Sequence, residues 1–348
     1  MRSISPWIIA IATLSGSTLG AHDITGDWQE ALRVGAGPPV WQRDSLARFK
    51  STFITVDKNV KLEVVDWGGS GRPLVLLAGL GNNAHVFDQF AARLTATYHV
   101  YGITRRGFGA SSAPASANGN YSADRLGDDV LAVVDSLKLN RPVLVGHSIA
   151  GEELSSIGTR HPDKVAGLIY LDAAYSYAYY DRSRGDLILD SLELGRKLEQ
   201  LISGMGPKDR KQLVEELLQT SLPQFEKDLQ EEQKTLKAMP AQQQRAGGLS
   251  ISAQAVLAGQ QKYTDIRVPI LAIFVVPHDL GPLFKDDPTA RAAMEAIDSA
   301  RSGAQAKAFE IALPSAHVVR LPNADHYVFQ SNEEDVLREM NAFLSGLP

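Results

Sequence analysis

The chain has 348 residues, 44 % hydrophobic and 22 % charged, with a formal net charge of −5. This is ordinary globular usage with enough apolar material for a sizeable core; it excludes global disorder and offers no basic surface for nucleic acid. The absence of cysteine excludes disulfides, thiolate metal sites and a cysteine nucleophile together.

Arg2 precedes a mostly apolar run from Trp7 to Leu19, which is too short to span a bilayer comfortably. The small residues Gly20 and Ala21 follow, then a polar stretch from His22 to Glu30. The pattern predicts a cleavable export signal over residues 1–21 and a periplasmic or secreted mature protein, with an apolar N-terminal helix or an uncleaved anchor as the competing readings. Residues 22–50, broken by Gly35, Gly37, Pro38 and Pro39, read as an irregular arm. No later segment reads as a membrane span, so no stable insertion is expected once the signal is removed.

From Ser51 the rhythm changes. Thr52 to Val56 and Val60 to Trp67 alternate and are β-branched, as in paired strands. Pro73 to Ala78 is a short continuous apolar run, the mark of a strand buried on both faces. Helical spacing over Val86–Leu94, a strand over His99–Ile103 and an amphipathic helix over Ser122–Leu137 follow. Pro142 to Val145 and Val165 to Leu171 read as buried strands flanking a helix over Ile149–His161. This alternation predicts βαβ units, a mostly parallel sheet and helices on both faces. Between Tyr175 and Tyr263 no strand is convincing; leucines recur at helical spacing, so residues 175–263 are expected to form a helical cap between core segments 51–174 and 264–348. The rhythm resumes with a strand over Ile270–Val276, a helix over Thr289–Ala312, a strand over Val318–Leu321 and a last helix over Glu334–Leu344.

Within this frame, Val143-Leu144-Val145-Gly146-His147-Ser148-Ile149-Ala150-Gly151 runs a buried strand straight into a helix. Ser148 stands at the junction, where a sharp turn lifts a hydroxyl off the sheet and the following helix aims free N–H groups at developing negative charge. The same pattern suits a serine that merely caps a helix.

The segment resembles the nucleophile elbow of the α/β-hydrolase superfamily, usually G-x-S-x-G; here Ala150 fills the fifth position and Gly151 comes next. The resemblance extends over nearly all of residues 51–345. It implies an α/β-hydrolase fold and a triad in the order nucleophile, acid, histidine. His326, in Leu321-Pro322-Asn323-Ala324-Asp325-His326, then falls where the family keeps its base, with His147 and His278 as rivals. For the acid the resemblance favours Asp279, after the strand ending near Val276; Asp172, one strand earlier, competes. It implies oxyanion donors at Leu80, in Ala78-Gly79-Leu80-Gly81, and at Ile149. Gly79, His147, Tyr175 and Tyr177 are expected to line the substrate site. The stretch from Thr104 to Ser111 resembles the family's Asp-x-Arg-Gly-x-Gly-x-Ser loop, with Thr104 in place of Asp, and reads as a structural turn. Glu152 and Glu153 read as first-turn charges favoured by the helix dipole.

The resulting expectation is a serine hydrolase of carboxylic esters or lactones that uses no metal and no cofactor. Epoxide hydrolases and haloalkane dehalogenases share the scaffold but use an aspartate nucleophile. Amide hydrolysis of the prolyl aminopeptidase type, and a non-catalytic ligand-binding role, are the alternatives. The substrate and the oligomeric state are not legible.

Overall fold

Eight strands hydrogen-bond into one sheet. In chain order they are β1 (Lys50–Asp57), β2 (Val60–Gly68), β3 (Pro73–Leu77), β4 (His99–Ile103), β5 (Val143–His147), β6 (Gly167–Leu171), β7 (Ile270–Val275) and β8 (Ala316–Leu321). Their spatial order is β1-β2-β4-β3-β5-β6-β7-β8. β1 and β2 form an antiparallel hairpin, β2 pairs antiparallel with β4, and every later pairing is parallel. The molecule is a computed structural model that describes residues 49–348 except 118, 205, 239–248 and 282–283. The expected export signal and nearly all of the expected arm lie outside the described residues.

The central strands β5, β6 and β7 are buried at every position because both sheet faces are covered. Successive side chains point to opposite faces. On one face Val75, Leu77, Leu144, Leu168, Tyr170, Ala272 and Phe274 join one core cluster. On the other, Leu74, Leu76, Val143, Val145, Ile169, Leu171, Leu271 and Ile273 join a second. The helices divide accordingly. α2 (Ala123–Ser136), α3 (Gly151–Arg160) and α8 (Pro288–Ala312) pack on the first face; α1 (Asp88–Leu94) and α10 (Glu333–Ser345) pack on the second, with the short α9 (Val328–Ser331). Sequence cues start several helices: Ser122 accepts from Arg125 N–H to cap α2, and Asp287 caps α8 ahead of Pro288.

Between β6 and β7 the described residues contain no strand. They hold α4 (Leu187–Ile202), α5 (Pro207–Glu216), α6 (Leu222–Ala238) and α7 (Ile251–Ala258), with a π-helical turn joining α5 to α6. Leu194, Leu213 and Leu217, spaced helically in the sequence, close a small cluster of their own. α7 lies over the C-terminal end of the sheet, where Ala253 and Val256 pack with Phe108, Tyr121 and Ile149.

Candidate active site

Ser148 follows β5 directly, with φ +54° in the left-handed region that a non-glycine residue adopts at a cost. Its neighbours must be small. A Cβ on Gly146 would lie 2.9 Å from Leu154 Cδ1 and 3.2 Å from Ala150 Cβ, so Ala150 fits because residue 146 is glycine. A Cβ on Gly151 would fall 1.9 Å from the Ala173 carbonyl oxygen, on the next strand connection. Glycine is therefore needed one position later than the family motif puts it.

Asp172 ends the neighbouring strand β6 and also has positive φ, +46°. Its carboxylate is fully buried and accepts four hydrogen bonds. Oδ1 receives the Tyr175 hydroxyl (2.6 Å) and the Val275 N–H (3.1 Å). Oδ2 faces His326 Nδ1 (2.7 Å) and His278 Nε2 (2.8 Å). Burial alone would raise this carboxyl's pKa; the charges and hydrogen bonds of His278 and His326 outweigh it and hold Asp172 well below the usual carboxylate range. His326 keeps Nε2 buried with no partner among the described residues.

The favoured acid, Asp279, is not at this histidine. It is exposed and accepts from Gly281 N–H (2.9 Å) and Arg291 (3.4 Å). The reason is alternation in extended backbone. An isolated parallel bridge pairs His278 with Ala324, and this register turns His278 inward and Asp279 outward. The competing acid, Asp172, takes the place at His326. His278 is not a free base either: both of its ring nitrogens face carboxylates.

The loop after β3 packs on the elbow. A Cβ on Gly79 would meet His147 Nδ1 at 2.9 Å and Ser148 Cβ at 3.1 Å. Asn82 N–H closes a turn on the Gly79 carbonyl, leaving the Leu80 N–H with no acceptor among the described residues. Ile149, one residue past Ser148, lies in the first turn of its helix, where N–H groups have no helical partner. Arg105 secures this loop. Its guanidinium donates to the carbonyls of Ala78 (2.9 Å) and Gly79 (3.3 Å) and to Glu153 on α3. The 104–111 stretch is thus more than a turn. Thr104, standing where the family has Asp, donates to Glu63 Oε2 (2.8 Å) and accepts the Ala84 N–H (3.0 Å); β2 supplies the missing carboxylate.

Glu152 and Glu153 stand in the first turn of α3, and both are buried. Glu153 pairs with Arg105, while both Glu152 oxygens lack a partner among the described residues. Burial, then the neighbouring Glu153, pushes the Glu152 carboxyl well up. His147, expected to line the substrate site, is fully buried beneath it. It donates from Nε2 to the His326 carbonyl (3.1 Å), and burial lowers its pKa to about 3. It braces His326 as a neutral ring. Of the cap tyrosines, Tyr175 binds Asp172, and Tyr177 packs against the cluster that holds Ile149. Tyr179 packs on Phe309, and Tyr180 donates to Asp190.

Asp172, His278 and His326 offer three potential metal-ligand atoms within 4.8 Å of one another. Their contacts of 2.7 and 2.8 Å are hydrogen bonds. Ligands at roughly 2.0–2.1 Å from a tetrahedral zinc would stand farther apart, at roughly 3.3 Å.

A mostly parallel sheet with a serine on a strained elbow after β5, an aspartate after the adjacent β6 and a histidine in the loop after β8 defines an α/β hydrolase. Residues 74–339 match the profile of the alpha/beta hydrolase family, and the chain belongs to that family. It is 24 % identical over 281 residues to the 2-(acetamidomethylene)succinate hydrolase of Mesorhizobium japonicum, a match covering 80 % of this chain and 90 % of that protein. It is 31 % identical over 127 residues to 3-oxoadipate enol-lactonase 2 of Acinetobacter baylyi, covering 36 % of this chain and 46 % of that protein. Among solved structures, that of a membrane phospholipase A superposes with a TM-score of 0.54 at 20 % identity, over 99 % of each chain. At that identity the likeness is one of fold.

Proposed function

We propose that this chain is a serine hydrolase that cleaves carboxylic esters or lactones through an acyl-enzyme on Ser148. The carrying observation is the 2.7 Å contact between Asp172 Oδ2 and His326 Nδ1, which leaves Nε2 of a buried imidazole with no partner among the described residues. A serine hydroxyl needs such a base, and the base needs such an orienting acid. Ser148 Oγ attacks the carbonyl carbon as His326 Nε2 takes its proton. The tetrahedral oxyanion accepts from the N–H groups of Leu80 and Ile149. His326 returns the proton to the leaving oxygen, and the carbonyl re-forms as the acyl-enzyme. Water, deprotonated by the same nitrogen, then releases the acid and frees Ser148.

The names of the relatives support hydrolysis, and the enol-lactonase among them supports an ester or lactone bond. Tyr177, with Leu80 beside the cluster formed by Phe108, Ile149 and Val256, offers the acyl group an apolar wall. Export, through residues 1–21, belongs to the same proposal. It rests on Arg2 and the apolar run that follows, and N-terminal sequencing of exported protein tests it. The chemistry is tested with a fluorophosphonate probe on the wild type and Ser148→Ala, followed by a panel of esters, lactones and aminoacyl amides. Ser148-dependent labelling with ester or lactone turnover is expected. A folded wild type that is not labelled would leave the ligand-binding alternative.

A further inference from the structure

The carboxylate of Asp172 serves two histidines, and only one of them is used by the chemistry above. His278, at the end of β7, places Nε2 2.8 Å from Asp172 Oδ2. Its Nδ1 lies 3.0 and 3.1 Å from the two oxygens of Asp298 on α8, and its backbone N–H donates to Asp298 Oδ2 at 2.7 Å. Ser302 Oγ, one turn along α8, approaches Asp298 Oδ1 at 3.4 Å. Asp172, Asp298 and His278 are all buried.

A neutral imidazole carries one N–H and one lone pair. Between two carboxylates it would turn the lone pair on one of them. Only the imidazolium donates to both at once. The other polar or titratable groups around it are the Tyr175 hydroxyl, 3.4 Å from Nε2, and the His326 ring, 6.2 Å away between centroids. Asp279 and Arg291 pair with each other on the outer side. Around His326 stand Asp172, the neutral His147 at 4.6 Å and Tyr327 at 5.8 Å. Burial by itself would lower the pKa of His278; the two carboxylates outweigh it and push it up to about 10.

We propose that His278 is a positioning residue for proton transfer: a standing imidazolium between Asp298 and Asp172 that keeps His326 deprotonated, and competent as a base, at pH values where Asp172 alone would hold it protonated. The inference rests on the reading of His326 as the base. A buried carboxylate beside an imidazole normally favours the imidazolium. Here that carboxylate is already shared with a cation, and any charge on His326 forms 6.2 Å from it. At an effective dielectric constant of about 20 to 40 this repulsion is equivalent to about one to two pH units. Asp298, on the far side of the His278 ring, is present with and without His278 and does not change this difference.

The test is histidine ¹⁵N NMR, in a His85→Gln background because His85 is also held protonated, with its pKa raised to about 9 by Asp88 and Glu63. At pH 8.5 we expect one buried histidine with both ring nitrogens protonated and its N–H protons protected from exchange. A neutral His278 tautomer there overturns the proposal, and this needs no variant at position 278. In His278→Gln, or His278→Asn if the first does not fold, the titration midpoint of His326 should rise by about one to two pH units. The acid limb of kcat/KM should move with it. A purely structural His278 predicts instead a uniform fall in kcat/KM with limb and midpoint unmoved, which also overturns the proposal. Absence of fluorophosphonate labelling in the wild type is a separate readout, and it would sink the reading of His326 as base rather than the charge state of His278.

Discussion

His278 and Asp279 are neighbours in the chain and face opposite ways: His278 reaches inward to Asp172, and Asp279 reaches solvent and Arg291. The first prediction follows. Asp172→Asn should lower kcat by about 10³–10⁴-fold, because an amide neither fixes the His326 tautomer nor stabilises its imidazolium. Asp279→Asn should leave kcat and KM within about twofold, its lost surface pair with Arg291 being worth little. Steady-state kinetics on the two variants check this; equal losses would contradict the assignment of the acid.

The buried charges make stability depend on pH in a defined direction. Asp172 is held below its unfolded value near 3.9, so its contribution is present above about pH 4 and is lost as pH falls further. His278 is pushed up to about 10, so its contribution is complete below its unfolded value near 6.5 and is lost as pH rises toward 10. The wild type should therefore lose on the order of a few kcal/mol between pH 6.5 and 10 through this group. His278→Gln should have a flatter Tm profile over that window. Differential scanning fluorimetry on both proteins measures the difference.

The elbow makes opposite predictions for two adjacent small residues. Gly151→Ala puts a methyl 1.9 Å from the Ala173 carbonyl, and backbone cannot give way cheaply; we expect a loss of about 3 kcal/mol or no folded protein. Ala150→Gly, which recreates the usual motif, removes one buried methyl and should cost about 1 kcal/mol with kcat/KM little changed. Chemical denaturation and kinetics on the pair decide whether position 151 carries the glycine requirement.

Arg105 and Glu153 test the support of the oxyanion loop. Arg105→Met leaves a buried carboxylate unpaired, for an expected loss of about 3–5 kcal/mol. Adding Glu153→Gln should recover most of the stability. It should not restore the guanidinium bonds to the Ala78 and Gly79 carbonyls, so kcat should stay depressed by about tenfold or more while KM moves less. Recovery of kcat together with stability in the double variant would reduce the pair to packing.

The sequence by itself determined the sheet, because strands buried on both faces read as continuous apolar runs and helices show their period and caps. The elbow at Ser148 and the loop holding His326 were legible for the same reason: each lies next to a strand end whose position the apolar pattern marks. The tertiary structure decided the rest. Asp172 and Asp279 each follow a strand, and only the inward or outward turn of one extended segment chose between them. Nothing local marked Arg105 and Glu153 as a buried pair, because burial of a charge depends on a partner distant in the chain; the two are 48 residues apart. The link from Asp298 through His278 to Asp172 spans three elements, and no local pattern encodes it. A serine before a helix was visible as a candidate nucleophile, but the protonation states of the groups around it depend on contacts made only when the strands and α8 come together.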